Sequence, residues 1–244
     1  MHTRTLTENE LSEVDVVILC GGTGSRLRAA VDDRPKPMAE INQKPFLDIL
    51  IDFFCEFGFR RFVLCAGYMS EVIRNYYAGR TGPCRFIVSD EHTSLGTAGA
   101  IKNAEKLIRS DTFLVANGDS FCSVDLAEFY RSHAARQALM SMVVLETENT
   151  GDCGLVSLDP SQRIVGFEEK KQEHRSCYIN AGIYLFHKKI ISFIPEGAGF
   201  SLEHELFPKL TKQRCYAFVS DEKLIDIGTP ERYEWAKECF GDTS

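Results

Sequence analysis

The stretch ILCGGTGSRL, Ile18 to Leu27, leaves an apolar run and passes through Gly21, Gly22 and Gly24 to Arg26. Glycines let backbone N–H groups come close to a polyanion, and a cation beside them neutralises its charge. Ten residues on, RPKPMAEI adds a second cation, Lys36. Residue order separates three kinds of phosphate loop. A Walker loop needs a lysine followed by Ser or Thr, which this stretch lacks. A dinucleotide fingerprint counted from Gly22 and Gly24 meets Leu27 where its third glycine belongs, and no acidic residue follows at the end of a second strand. What remains is a loop that wraps a triphosphate with backbone donors, assisted by Arg26 and Lys36.

These residues need strands and helices to hold them. VDVVILC (Val14 to Cys20) is β-branched and nearly continuous in apolar residues, as a parallel strand buried on both faces should be. KPFLDILIDFFCEFG then reads as an amphipathic helix, with Pro45 at its first position and Gly58 as its stop. Strand and helix alternate through RRFVLCAG, SEVIRNYYAG, CRFIVSD, TAGAIKNAEKLI, DTFLVANGD and DLAEFYRSHAAR, the βαβ pattern of a doubly wound sheet. After Leu139 strands dominate, with helices returning at SLEHELFPKLTK and TPERYEWAKECF. The reading is a flexible tail over 1–13 and one domain over 14–244, divided into a nucleotide-binding half (14–138) and a strand-rich acceptor half (139–244). No internal repeat or low-complexity linker divides it further.

Composition sets limits on function. With 244 residues the chain can bury one large core, and 44% hydrophobic with 26% charged residues is ordinary for a globular protein. A net charge of -7 without a Lys/Arg block argues against nucleic acid as a partner. Nine cysteines, an odd number with no C-x-x-C pair and no leading signal segment, suit reduced thiols in a cytoplasm. No apolar run has the length of a membrane span. Trp235 reads as a packing residue, and a chain of this length with a strand-rich half could pair as a homodimer.

The glycines, Arg26 and the P-K-P of Lys36, in this order and spacing, resemble the sugar-1-phosphate nucleotidyltransferases, and the resemblance runs from Val16 to about Ala236. It implies an α/β fold with a Rossmann-like doubly wound mixed sheet of the nucleotide-diphospho-sugar transferase type, without a C-terminal β-helix. It further implies that Asp119 in VANGDS and Asp226 in IDIGTP hold Mg²⁺, whose preference for a few hard oxygen ligands suits two carboxylates completed by phosphate and water. Catalytic roles then fall to Arg26, Lys36 and Asp119, and nucleotide binding to Leu19, Gly21, Gly22, Gly24, Glu91, Gly96 and Thr97. Sugar-phosphate binding falls to Gly154 in CGLV, Glu169 and Lys170 in FEEKK, and Asn180 in YINAG. The family usually writes E-K-P where this chain has Glu169, Lys170 and Lys171.

Glu91 falls where thymidylyl enzymes of the family carry an amide. A carboxylate accepts from two adjacent donors, which guanine offers at N1 and N2, whereas uracil and thymine offer one N–H between two carbonyls. GTP is therefore the expected nucleotide. The combination of ILCGGTGSRL, PKPMAEINQKPFLDILI, LGTAGAIKNA and FSLEHELFPKL looks most like the D-glycero-α-D-manno-heptose 1-phosphate guanylyltransferase branch. Mannose-1-phosphate guanylyltransferases share LGTAG, and glucose-1-phosphate cytidylyltransferases share RPKPM; thymidylyl enzymes and a binding subunit with a retained fold are the further alternatives. A phosphate dianion is already a competent nucleophile, so no general base is required, and His204 on SLEHELF is not read as one.

Overall fold

The computed structural model describes residues 8–28, 30–147, 154–168, 177–197 and 199–241. Its centre is a nine-stranded mixed sheet. Strand β1 (Asp15–Leu19) lies between two parallel neighbours, β4 (Arg61–Ala66) and β6 (Thr112–Asn117), and β5 (Arg85–Asp90) pairs parallel with β4. This central position explains the apolar run over 16–19 in β1, since its residues must satisfy a core on each face.

The second half extends the sheet with antiparallel pairing. The long strand β11 (Cys177–His187) pairs with β6 over its second part and with β9 (Leu155–Leu158) over its first. Strand β8 (Met140–Thr147) pairs with β11 across an irregularity between Asn180 and Tyr184, and β12 (Cys215–Ser220) pairs parallel with β8. Strand β10 (Ile164–Glu168) closes the edge on β9. Two short ribbons complete the strands: β2 (Glu40–Ile41) with β3 (Lys44–Pro45), and β7 (Ser120–Phe121) with β13 (Ile225–Asp226).

Helices cover both faces: α2 (Phe46–Glu56), α3 (Ser70–Ala78), α4 (Gly96–Asn103), α5 (Leu126–Ala135), the short α6 (Phe207–Leu210) and α7 (Pro230–Cys239). The expected α/β alternation and mixed sheet are present. Three local expectations are corrected. The end of the segment read as a tail forms a short helix α1 (Glu8–Ser12), and Leu11 is buried in the core, so apolar contact orders this part. Pro45 belongs to β3 and precedes α2 rather than opening it, because its extended ψ of 137° is outside the helical range. Trp235 is 40% exposed, on the solvent side of a helix whose buried contacts are Tyr233 and Ala236. Among the described residues no helix is long and apolar enough to cross a membrane.

Candidate active site

The parallel strands β1 and β6 end side by side, Leu19 opposite Asn117, and both release their chains at the same edge of the sheet. Ligand crevices of open α/β sheets lie beyond such carboxyl ends. Here the two exits are tied together, Gly118 donating its N–H to the Leu19 carbonyl at 3.0 Å, while Cys20 donates to the Cys65 carbonyl of β4 on the other side at 2.8 Å. A cleft of about 240 Å³ opens above them, lined by Leu19, Gly21, Gly22, Lys36, Glu91, Gly96, Thr97, Asn117 and Asp119 among others. Of the nucleotide-binding residues expected from sequence, all but Gly24 face this cleft. Gly24 lines a smaller adjoining hollow with Lys36, Arg28 and Tyr68.

Glu91 follows β5 and reaches across to the glycine loop. A Cβ on Gly21 would lie 2.6 Å from Glu91 Oε1, so the glycine makes room for the carboxylate. Glu91 Oε2 accepts the Leu95 N–H at 3.3 Å. Burial raises the carboxyl above its ordinary range, and the Leu95 donor works in the opposite direction. Gly96, at φ +69°, turns the chain into α4, and a Cβ there would meet the Phe200 carbonyl oxygen at 2.7 Å. Thr97 lines the cleft, but its hydroxyl is engaged elsewhere: it accepts from Leu202 N at 2.7 Å and donates to Glu203 Oε2 at 3.2 Å.

The charged residues gather at one mouth of the cleft. Asp119 follows β6, and the pairing of β7 with β13 sets Asp226 opposite Ser120. Ile227 N–H donates to the Asp119 carbonyl at 3.0 Å, closing the junction. Lys36 Nζ is salt-bridged to Asp119 Oδ2. A Cβ on Gly228 would stand 2.7 Å from Asp226 Oδ1, 3.6 Å from Lys36 Nζ and 3.8 Å from the Arg26 guanidinium, so these groups share one small volume. Asp226 is also held by its neighbours: Oδ1 accepts Gly228 N–H at 2.8 Å, and Arg232 donates to both oxygens at 3.1 and 3.3 Å. Two oxygen-bearing side chains beside a glycine loop form a donor set that fits Mg²⁺, which takes few protein ligands and keeps water and phosphate for the rest.

A second pocket, of about 260 Å³, lies in the strand-rich half and is lined by Gly154, Phe167, Asn180, Glu203, His204 and Phe207 among others. It contains two of the sugar-phosphate residues expected from sequence, Gly154 and Asn180; Glu169 and Lys170 lie outside the described residues. Asn180 sits at the irregularity of β11, where its Nδ2 donates to the Tyr184 hydroxyl at 2.7 Å and its Oδ1 accepts Gly182 N–H at 2.9 Å. Burial pushes the Tyr184 phenol up, and Glu203 adds to it. Glu203 and His204 reach the pocket on a wide π-helical turn, Leu202–Leu206, capped by Ser201, whose Oγ donates to Glu203 Oε2 at 3.0 Å and accepts His204 N–H at 3.2 Å. Thr97 thus bonds the turn that lines the second pocket while itself lining the first.

Sequence reasoning missed Asn117, Glu203, Arg232 and the position of His204 in this pocket. Asn117 was legible as the first letter of the N-G-D triplet. The other three come from elements that carry no phosphate-loop signature.

The Nucleotidyl transferase family profile matches residues 15–240. The chain is 33% identical over 220 residues to the D-glycero-α-D-manno-heptose 1-phosphate guanylyltransferase of Campylobacter jejuni, covering 90% of this chain and 97% of that one. It is 32% identical to the enzyme of the same description from Aneurinibacillus thermoaerophilus, covering 92% and 97%. Among solved structures, HddC from Yersinia pseudotuberculosis complexed with GMP-PN superposes with a TM-score of 0.82 at 35% identity, covering 93% of this chain and 99% of that one.

Proposed function

The chain belongs to the nucleotidyl transferase family, and from that premise we propose that it transfers GMP from GTP to D-glycero-α-D-manno-heptose 1-phosphate, releasing pyrophosphate. The observation that carries this reading is the gathering of Arg26, Lys36, Asp119 and Asp226 around Gly228 at the mouth of a glycine-walled cleft. The full-length similarity to two heptose 1-phosphate guanylyltransferases supports the choice of substrates.

An oxygen of the sugar phosphate attacks the α-phosphorus in line, a new P–O bond forms, and the bond from the α-phosphorus to the bridging oxygen breaks toward pyrophosphate. The protein supplies position and charge rather than a covalent partner. The backbone around Gly21 and Gly22, with Arg26, holds the β- and γ-phosphates. Lys36, in the structure the partner of Asp119, is within reach to exchange that carboxylate for the α-phosphate. Asp119 and Asp226 would hold Mg²⁺, which when bound would supply Lewis-acid stabilisation of the charge on the transferring phosphoryl group.

Glu91 reads the base. Its half-buried carboxylate has the Leu95 N–H as a donor and room for more, and guanine N1–H and N2–H would provide two side by side. Asn180, Glu203 and His204 offer the hydroxyl-binding groups of the acceptor pocket.

The test is pyrophosphate release by the purified protein with Mg²⁺ in a grid of GTP, CTP, dTTP, UTP and ATP against heptose, mannose and glucose 1-phosphates. Release confined to GTP with the heptose phosphate is expected. Release with another pair overturns the substrate assignment and leaves the reaction type standing; silence throughout overturns both.

A further inference from the structure

Arg232 lines neither pocket and carries no motif. It stands in the first turn of α7, where its N–H donates to the capping Thr229 hydroxyl at 3.3 Å. From there its guanidinium reaches back to Asp226 and donates from one nitrogen to both carboxylate oxygens, at 3.1 and 3.3 Å. Lys36 does the same office for Asp119. Each member of the carboxylate pair therefore faces a cation, and the Arg26 guanidinium comes to the same place, 3.8 Å from a Gly228 Cβ position. Three positive groups surround two negative ones.

We infer that Arg232, together with Lys36, neutralises the carboxylate pair so that it binds a divalent cation poorly unless the nucleotide's polyphosphate arrives with it. This rests on the reading of Asp119 and Asp226 as the metal-holding pair. A bare divalent cation must displace two hydrogen-bonded cations and then remain beside them, with like charges close together in a partly buried site. A triphosphate changes that balance, because its oxygens give Lys36 and Arg26 new partners while completing the metal's coordination. The side chain of Arg232 is 35% exposed, so water moderates its field without abolishing it.

Binding of Mn²⁺ to the purified protein, followed by loss of the free-ion electron paramagnetic resonance signal, tests this. It is measured alone and with a GTP analogue carrying a methylene between the α- and β-phosphorus atoms, against the analogue without protein. The wild-type protein alone should bind Mn²⁺ at least roughly thirtyfold more weakly than with the analogue. Arg232→Gln should tighten binding of Mn²⁺ alone by roughly tenfold, the scale of removing one nearby like charge, whereas Arg232→Lys should stay near wild type. A merely structural role would weaken binding in both conditions. The inference is overturned if Arg232→Gln binds Mn²⁺ alone no more tightly than wild type, or if wild type binds it equally well with and without the analogue. The underlying metal assignment has its own control: if Asp119→Asn and Asp226→Asn both leave binding in the presence of the analogue unchanged, that assignment fails, whatever Arg232 does.

Discussion

The two pockets are nearly equal in volume, about 240 and 260 Å³, yet three glycines line the first and one the second. The first is bordered by backbone at Gly21, Gly22 and Gly96 and ends in the charged groups Lys36 and Asp119. The second is bordered by side chains, Phe167, Phe207, Asn180, Glu203 and His204, brought together from β10, β11, α6 and the turn before it. A backbone wall suits what every nucleoside triphosphate shares, its phosphates. A side-chain wall can be rewritten one residue at a time, which suits the choice of an acceptor.

If that contrast holds, damage in the first pocket should fall on turnover. Arg26→Ala should lower kcat by on the order of 10²–10³, the scale of one charge contact made in the transition state, with a KM for the sugar phosphate close to wild type. Steady-state kinetics with both substrates varied checks it, and normal turnover would remove Arg26 from the mechanism. Glu91 is the side chain within the backbone-walled pocket that should behave like a member of the other. Glu91→Gln should lower kcat/KM for GTP by about thirtyfold and affect UTP much less, because one buried donor loses its charged acceptor. Equal losses for both nucleotides would sink its role as base reader.

In the second pocket, Asn180→Ala should raise KM for the sugar phosphate about tenfold, a typical loss for one hydrogen-bonding group, while GTP affinity measured by calorimetry stays unchanged. A matched loss of GTP affinity would join what the contrast separates. The smallest effect on catalysis is expected at His133, which lies in α5 away from both pockets and bonds Ser141 Oγ at 2.9 Å. Burial, with His187 nearby, lowers its pKa from 6.5 to about 4. The unfolded chain therefore binds a proton that the folded one refuses, and stability falls as pH drops from 6.5 toward 4. The loss should reach about 2 kcal/mol by pH 5, and His133→Asn should remove that part of the slope in urea unfolding. A slope unchanged by the substitution would contradict the buried neutral state.

The same contrast accounts for what the sequence made legible. A loop that uses its own backbone must keep its glycines in order, so Gly21, Gly22, Gly24 and Arg26 can be read locally. Strand β1 was equally plain, since burial on both faces leaves a continuous apolar run. Asp119 and Asp226 could be paired in advance only through family resemblance, because the β7–β13 contact that joins them is two residues long on each side and has no periodicity to read. Glu203, His204 and Arg232 depend on tertiary approach between separate elements. Nothing in their local spelling distinguishes them from solvated charge on a helix. Leu11 was missed for a related reason: one apolar contact in a polar segment is enough to fasten a short helix, but it makes no pattern.

The short ribbon of β7 and β13 also bears on when the charged cluster can be assembled. During synthesis the glycine loop, Lys36 and Asp119 are all made early, but Asp226 and the Arg232 that holds it come only after the whole strand-rich half has been translated. A growing chain that has folded its first parallel strands would present the glycine loop with only one carboxylate, Asp119, near it. The second arrives last and zips onto Ser120 and Phe121. The cluster of charges around Gly228 is thereby completed only when the ribosome has almost finished with the described fold.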